Sequence, residues 1–191
     1  MNRITLLAVC LMSIISLNVN ADEAYTQALN ELAKTKIAAI VNDAVVQSAV
    51  KAQNSKHAGL TQADIDALDK KWRAETKAAD KPLINATLSN ALSKHLTGVK
   101  NASDGLYTEI FVMDNKGLNV GQSDLTSDYW QGDEAKWQKT YSVGPNVVHI
   151  GKLQKDESTQ QIQVQLSVSV SDIATKAVIG AITLGINLDN L

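Results

Sequence analysis

Apolar residues recur at helical spacing from Asp22 to about Gln53: Leu29, Leu32, Ile37, Ile40, Val41, Ala44, Val45 and Ala49 lie along one side of a 3.6-residue repeat. Alanine and charged helix formers fill the intervals, and neither Gly nor Pro interrupts them. The pattern predicts one helix of about 30 residues, long for a globular domain. His57-Ala58-Gly59-Leu60 breaks it. Thr61-Gln62-Ala63-Asp64 then has the form of a capping box opening a second helix, with Ile65, Leu68 and Trp72 as its stripe. Pro82 marks the next break. Ile84, Leu88, Ala91, Leu92, Leu96 and Val99 form the stripe of a third helix that ends near Gly105.

The period then changes to two. Leu106 to Met113 is rich in β-branched and aromatic residues, Asp114-Asn115-Lys116-Gly117 is a turn, and Leu118 to Gly121 is a short returning strand. Val147 to Leu153 is a third strand. From Gln161 to Val170 the alternation has no fault: Ile162, Val164, Leu166, Val168 and Val170 face one way and Gln163, Gln165, Ser167 and Ser169 the other, as in a half-buried antiparallel strand. Val178 to Leu188 is the last and most apolar strand. The links near Asn115, Asp156 and Ala174 are too short for crossover helices. Helices followed by five strands give an α+β fold with a mainly antiparallel sheet.

Before this region stands a leader pattern. Met1-Asn2-Arg3 is a short positive start, Ile4 to Leu17 is nearly unbroken apolar sequence, and Val19-Asn20-Ala21 places small or aliphatic residues where a signal peptidase reads. The apolar run, about 14 residues, falls short of the roughly 20 that a membrane-spanning helix needs. Residues 1–21 are therefore read as a signal peptide and 22–191 as one domain, with a bacterial periplasm as its destination. A lipoprotein reading on Leu7-Ala8-Val9-Cys10 is the weaker alternative, because Val9 fits poorly before a lipidated cysteine. Cys10 is the chain's one cysteine, so the processed domain has no thiol, no disulfide and no Cys-ligated metal. Composition is that of an ordinary globular chain, at 45% hydrophobic and 20% charged. A formal charge of -2 offers no basic excess for phosphates, so nucleic acid is not an expected partner.

The order of elements, with three local patterns, resembles the Cache family, the extracytoplasmic PAS-like sensor domains of bacterial receptors. Ile110 to Leu118 is similar to that family's first hairpin, a strand closing in Asp-x-x-Gly. Asp128-Tyr129-Trp130-Gln131-Gly132-Asp133-Glu134-Ala135-Lys136-Trp137 is similar to its aromatic segment between strands two and three. Val178-Ile179-Gly180-Ala181-Ile182 is similar to its last strand. The resemblance implies a long first helix, smaller helices and a five-stranded antiparallel sheet with a ligand pocket on one face. It implies a sensory module without catalysis, reporting to a membrane-bound signalling protein. Two departures stand out. The family usually continues into a transmembrane helix and signalling module, whereas this sequence stops at Leu191, as a free-standing secreted version would. The Arg beside the aromatic residue of many amino-acid-binding members is missing between Tyr129 and Trp137.

Candidate chemistry gathers in the polar connection from Ser123 to Asn146. It holds Tyr129, Trp130, Trp137 and Tyr141 in a chain with 4% aromatics overall, interrupted by Asp133 and Glu134. Aromatic faces and carboxylates together hold an organic cation. If residues 133–137 form a helical turn, Trp130, Asp133 and Trp137 project the same way. Tyr129, Trp130, Asp133, Trp137 and Tyr141 are the candidate ligand-binding residues, with a small organic ligand, a cation favoured, as partner. The same aromatics would equally seal a sheet face, which leaves a structural or protein-interaction domain without a ligand as the rival reading. His57 and His95 are expected at the surface or an interface; His149, on a strand, is the one histidine with a chance of facing a pocket. The three share no metal-ligand spacing, no nucleophile–base pair or cofactor motif is evident, and no cofactor is expected. The long first helix has two readings as well: Leu29, Ile37, Ile40 and Ala44 pair with a second copy in a homodimer, or the sheet and third helix cover them.

Overall fold

The computed structural model describes residues 21–155 and 162–191. The leader, Cys10 and the link near Asp156 fall outside these residues, apart from Ala21. The helices are α1 (Ala21–Leu32), a π-helical turn (Ala33–Ile37), α2 (Ala38–Val41), α3 (Ala44–Lys56), α4 (Gln62–Glu75), α5 (Pro82–Leu88), α6 (Ala91–Asn101) and, later in the chain, α7 (Ala135–Gln138). The strands are β1 (Tyr107–Met113), β2 (Asn119–Gln122), β3 (Val148–Lys155), β4 (Ile162–Ser171) and β5 (Val178–Ile186). They form one sheet in the order β2-β1-β5-β4-β3, antiparallel throughout. The fold is α+β, as the change of period predicts. Among the described residues, no helix is long and apolar enough to cross a membrane.

Two expectations are corrected. The single first helix is interrupted. A π-turn opens its ladder at Ala33–Ile37, and the chain turns at Asn42-Asp43, where extended Asp43 (φ −62°, ψ 137°) caps α3 by accepting from Val45 N–H. The third helix is likewise two, α5 and α6. Asn90, in extended conformation, accepts from Ser93 N–H and starts α6. The stripe shifts at each break: α3 buries Val46 and Val50 in place of Ala44, Val45 and Ala49, and Ile84 of α5 packs in a different cluster from Leu92 and Leu96 of α6. Of the two readings of the first-helix stripe, Leu29, Ile37 and Ile40 follow the second, cover within the chain, while Ala44 is exposed. Leu29, Ile37 and Ile40 are buried in the main core with Val46, Val50, Leu92 and Leu96 against Ile110, Val112, Leu166 and Leu184 of the sheet. That cluster occupies one face of the sheet, the helical face. The capping box at Thr61 forms as read, with reciprocal bonds to Asp64.

A smaller cluster ties α4 and α5 to the β1–β2 hairpin: Ile65, Trp72, Ile84, Leu118 and Tyr129. The opposite, distal face of the sheet carries Glu109, Phe111 and Met113 of β1, Ala181 and Thr183 of β5, and the polar row of β4. That row is largely withdrawn from water: Gln163, Ser167 and Ser169 are buried and Gln165 is half-buried. The segment 123–146 lies over the distal face and covers it.

Candidate functional site

The cover is held by its aromatic residues. Asp69 of α4 accepts from the backbone N–H groups of Tyr129 (2.9 Å) and Trp130 (3.1 Å), which sets the start of the segment. Tyr129 stacks on Trp72, ring centres 5.2 Å apart, and Trp72 donates its indole N–H to Thr126 O. Burial, then the nearby Asp114 charge, pushes the Tyr129 hydroxyl up to about 12, with a Thr87 hydrogen bond opposing. Trp130 donates its indole N–H to Lys116 O at 2.8 Å and lies so close to Gly132 that a Cβ there would sit 2.4 Å from its Nε1. Further on, Trp137 and Tyr141 stack at 4.7 Å over Phe111, Met113 and Ala181, and Trp137 donates to Asp114 O at 3.1 Å.

The five predicted residues are therefore not brought together around a ligand space. Tyr129 and Trp130 pack toward α4 and the hairpin. Trp137 and Tyr141 pack on the distal face. Asp133 is exposed. The helical spacing does not apply, because Glu134 is still extended (φ −101°, ψ 153°) and α7 starts only at Ala135.

An open space lies next to these residues. A cavity of about 380 Å³ is bounded by α7 and its N-cap on one side and by β3 and β4 on the other, lined by Glu134, Lys136, Lys139, His149, Gly151, Lys152, Gln154, Gln165 and Ser167 among others. Beside it is a hollow of about 30 Å³, lined by Glu109, Phe111, Thr126, Ser127, Asp128 and Gln131, with Lys136 and Gln165 shared between the two. The irregularity in β3 between Ile150 and Leu153 sets Gly151 and Lys152 against the single residue Gln165, which bends the cavity's outer wall. Beneath, Glu109 accepts from Gln163 Nε2 (2.6 Å) and Gln165 Nε2 (3.1 Å), while Thr108 donates to Gln163 Oε1. Ser167 Oγ and Thr183 Oγ1 share a hydrogen bond at 2.9 Å.

The electrostatics are uneven. The cavity presents Lys136, Lys139 and Lys152 against one carboxylate, Glu134. Burial first, and then the Lys139 charge, hold the His149 imidazole below its ordinary value. The hollow is acidic. Burial, then Glu134, raises the Asp128 carboxyl above the ordinary value; Arg73, Lys136 and Gln131 pull it back. Arg73, the one Arg outside residues 1–21, is committed to Asp69 (2.6 Å) and Asp128 (3.0 Å). Sequence reasoning missed Glu109, Lys136, Gln163 and Gln165. The polar row of β4 was the available signal, but period two says only that two faces differ, not what covers the polar one.

His57 is corrected from surface to interior. It is buried, its Nδ1 3.0 Å from Asp114 Oδ2. His95 stands 3.5 Å from Asp43.

No family model matches the chain, and no curated protein matches it. Among solved structures it is similar to the ligand-binding domain of the Campylobacter jejuni chemoreceptor Tlp3 in complex with 4-methylisoleucine, at 14% identity and a TM-score of 0.42, over 88% of this chain and 60% of that one. The sensor domain of the Vibrio cholerae histidine kinase DctB is matched at 16% identity and a TM-score of 0.35, over 87% and 58%. The ligand-binding domain of the Pseudomonas aeruginosa amino acid chemoreceptor PctC in complex with GABA is matched at 12% and 0.38, over 88% and 65%. The chain thus spans about three fifths of the structures it resembles.

Proposed function

We propose that this chain is an extracytoplasmic small-molecule-binding sensory module, without catalytic activity, that passes its ligand state to a membrane-bound signalling protein. The observation that carries the reading is the distal cavity, with its hydrogen-bonding floor, between α7 and the β3–β4 pair. The two strands that line it, β3 and β4, bear α1 and the π-turn on their other face. A ligand drawn between α7 and β3 would shift β3 against β4, and the N-terminal helix rides on that pair.

The cationic ligand expected from Asp133 lacks its partner, because Asp133 is exposed and outside the lining. The basic wall favours a ligand with an acidic or strongly hydrogen-bonding group. The test is native mass spectrometry of freshly purified protein, with a thermal-shift panel of small carboxylates, amino acids and amines. Saturating ligand at about 100 times Kd adds roughly 2.7 kcal/mol of stability, a shift of several degrees. His149→Ala and Gln165→Ala should each weaken the hit about tenfold or more, the cost of a lost hydrogen bond to a charged group. A panel without a stabilising member, together with no co-purified mass, overturns the reading.

A further inference from the structure

Lys136 stands at the join between the cavity and the hollow. Its ammonium donates to Gln131 Oε1 at 3.1 Å, pairs with Glu134 Oε2 at 2.9 Å and lies 5.3 Å from the centre of the Phe111 ring. Its side chain is 13% exposed. Lys139 and Lys152, on the same cavity, keep to the solvent-exposed side. That is the usual behaviour of a lysine, whose stem lies along the surface while its head stays in water. Lys136 departs from it by turning its head inward, toward an aromatic face edged by carboxylate and amide oxygens. Those are the groups that recognise an alkylammonium. Glu109 and Asp128 wall the same hollow.

We infer that the hollow is an alkylammonium subsite and that Lys136 occupies it from within, standing where the head of a primary amine would otherwise sit. The inference rests on the distal cavity being a ligand site and narrows what enters it. With the cation supplied by the cover itself, the cavity of the natural chain takes acids and neutral polar molecules. An amine is admitted only where Lys136 is displaced or removed.

The test is chemical rescue. Lys136→Ala retains Cβ and loses a propylammonium's worth of atoms. Its melting temperature should fall by roughly 5 °C, and millimolar n-propylammonium should return at least half of that loss. 1-Propanol and propionate should not, and the natural chain and Lys136→Met, whose stem fills the channel, should not respond to the amine. If Lys136→Ala responds to propylammonium no more than the natural chain does, or if propanol serves equally, the inference is wrong. Should Lys136→Ala fail to fold, competitive amine acetylation of the natural chain decides: Lys136 should react at least about tenfold more slowly than Lys139 and Lys152, and equal rates overturn the inference. The two readings fail separately. A ligand found for the natural chain with no rescue of Lys136→Ala removes only the subsite. Rescue in a protein whose natural form binds nothing removes only the sensor.

Discussion

Asp172 closes the β4–β5 turn with its carboxylate. Oδ1 accepts from the backbone N–H groups of Ala174 (2.8 Å) and Thr175 (2.9 Å), and Lys51 of α3 pairs with Oδ2 at 3.0 Å. The Thr175 amide first, then Lys51 and Ala174, hold the carboxyl down to about 2. A value depressed in the folded chain stabilises fully above the unfolded value, about 3.9, and that contribution is lost as pH falls toward the folded value. Acid melts should therefore be steeper between about pH 4 and 2 for the natural chain than for Asp172→Asn; equal slopes would refute the assignment. The exposed Asp133 is the counter-example: Asp133→Asn should leave both stability and the affinity of any thermal-shift hit unchanged within about 0.5 kcal/mol, by calorimetry. Residue type did not separate these two aspartates in the sequence. His57 was no more legible, since a turn histidine is assigned to the surface unless its partner, here fifty-seven residues away at Asp114, is known.

Elements were more legible than side chains. The strands are legible from β-branched and apolar composition, turn residues and, for β4, faultless alternation, and the capping box at Thr61 from its residue types. The breaks at Asn42-Asp43 and Ser89-Asn90 are not, because each cap residue sits inside an unbroken apolar stripe and is itself tolerated in a helix. The same burial explains what the first-helix stripe does. Ile37 is fully buried, so Ile37→Glu should unfold the domain, at a cost of several kcal/mol for an unpaired buried charge, and not merely dissociate copies. A denaturant melt with light scattering checks it; a folded variant of altered size would restore the seam to an interface. Thr61→Ala should cost about 1 kcal/mol by removing the cap of α4.

At the scale of the molecule, the sheet divides two kinds of interior. Its helical face is apolar and closed. Its distal face combines an apolar patch of Phe111, Met113 and Ala181 with the polar row of β4, is covered by one loop segment, and holds the cavity. Period two distinguishes the faces, yet the cover's placement comes from contacts distant in sequence, such as Asp69 with Tyr129 and Trp130. The two interiors meet at Asp114. Its carbonyl accepts from Trp137 of the cover; its carboxylate accepts from the Lys116 and Leu118 N–H groups and from Gln53 of α3, and bonds His57 beyond it. With these partners on one residue, cover, hairpin turn and the end of α3 are expected to share an opening event and to exchange their amide hydrogens as one cooperative unit. Trp137→Phe, which keeps an aromatic ring on Tyr141 but loses the N–H and part of the indole, should speed deuterium uptake at Lys116, Leu118 and the last turn of α3 together, while the β4–β5 ladder keeps its rate. Uptake that quickens in the cover alone would mean the unit is not shared. If it is shared, the slowest amides of the hairpin turn are a clock for how often the cavity opens.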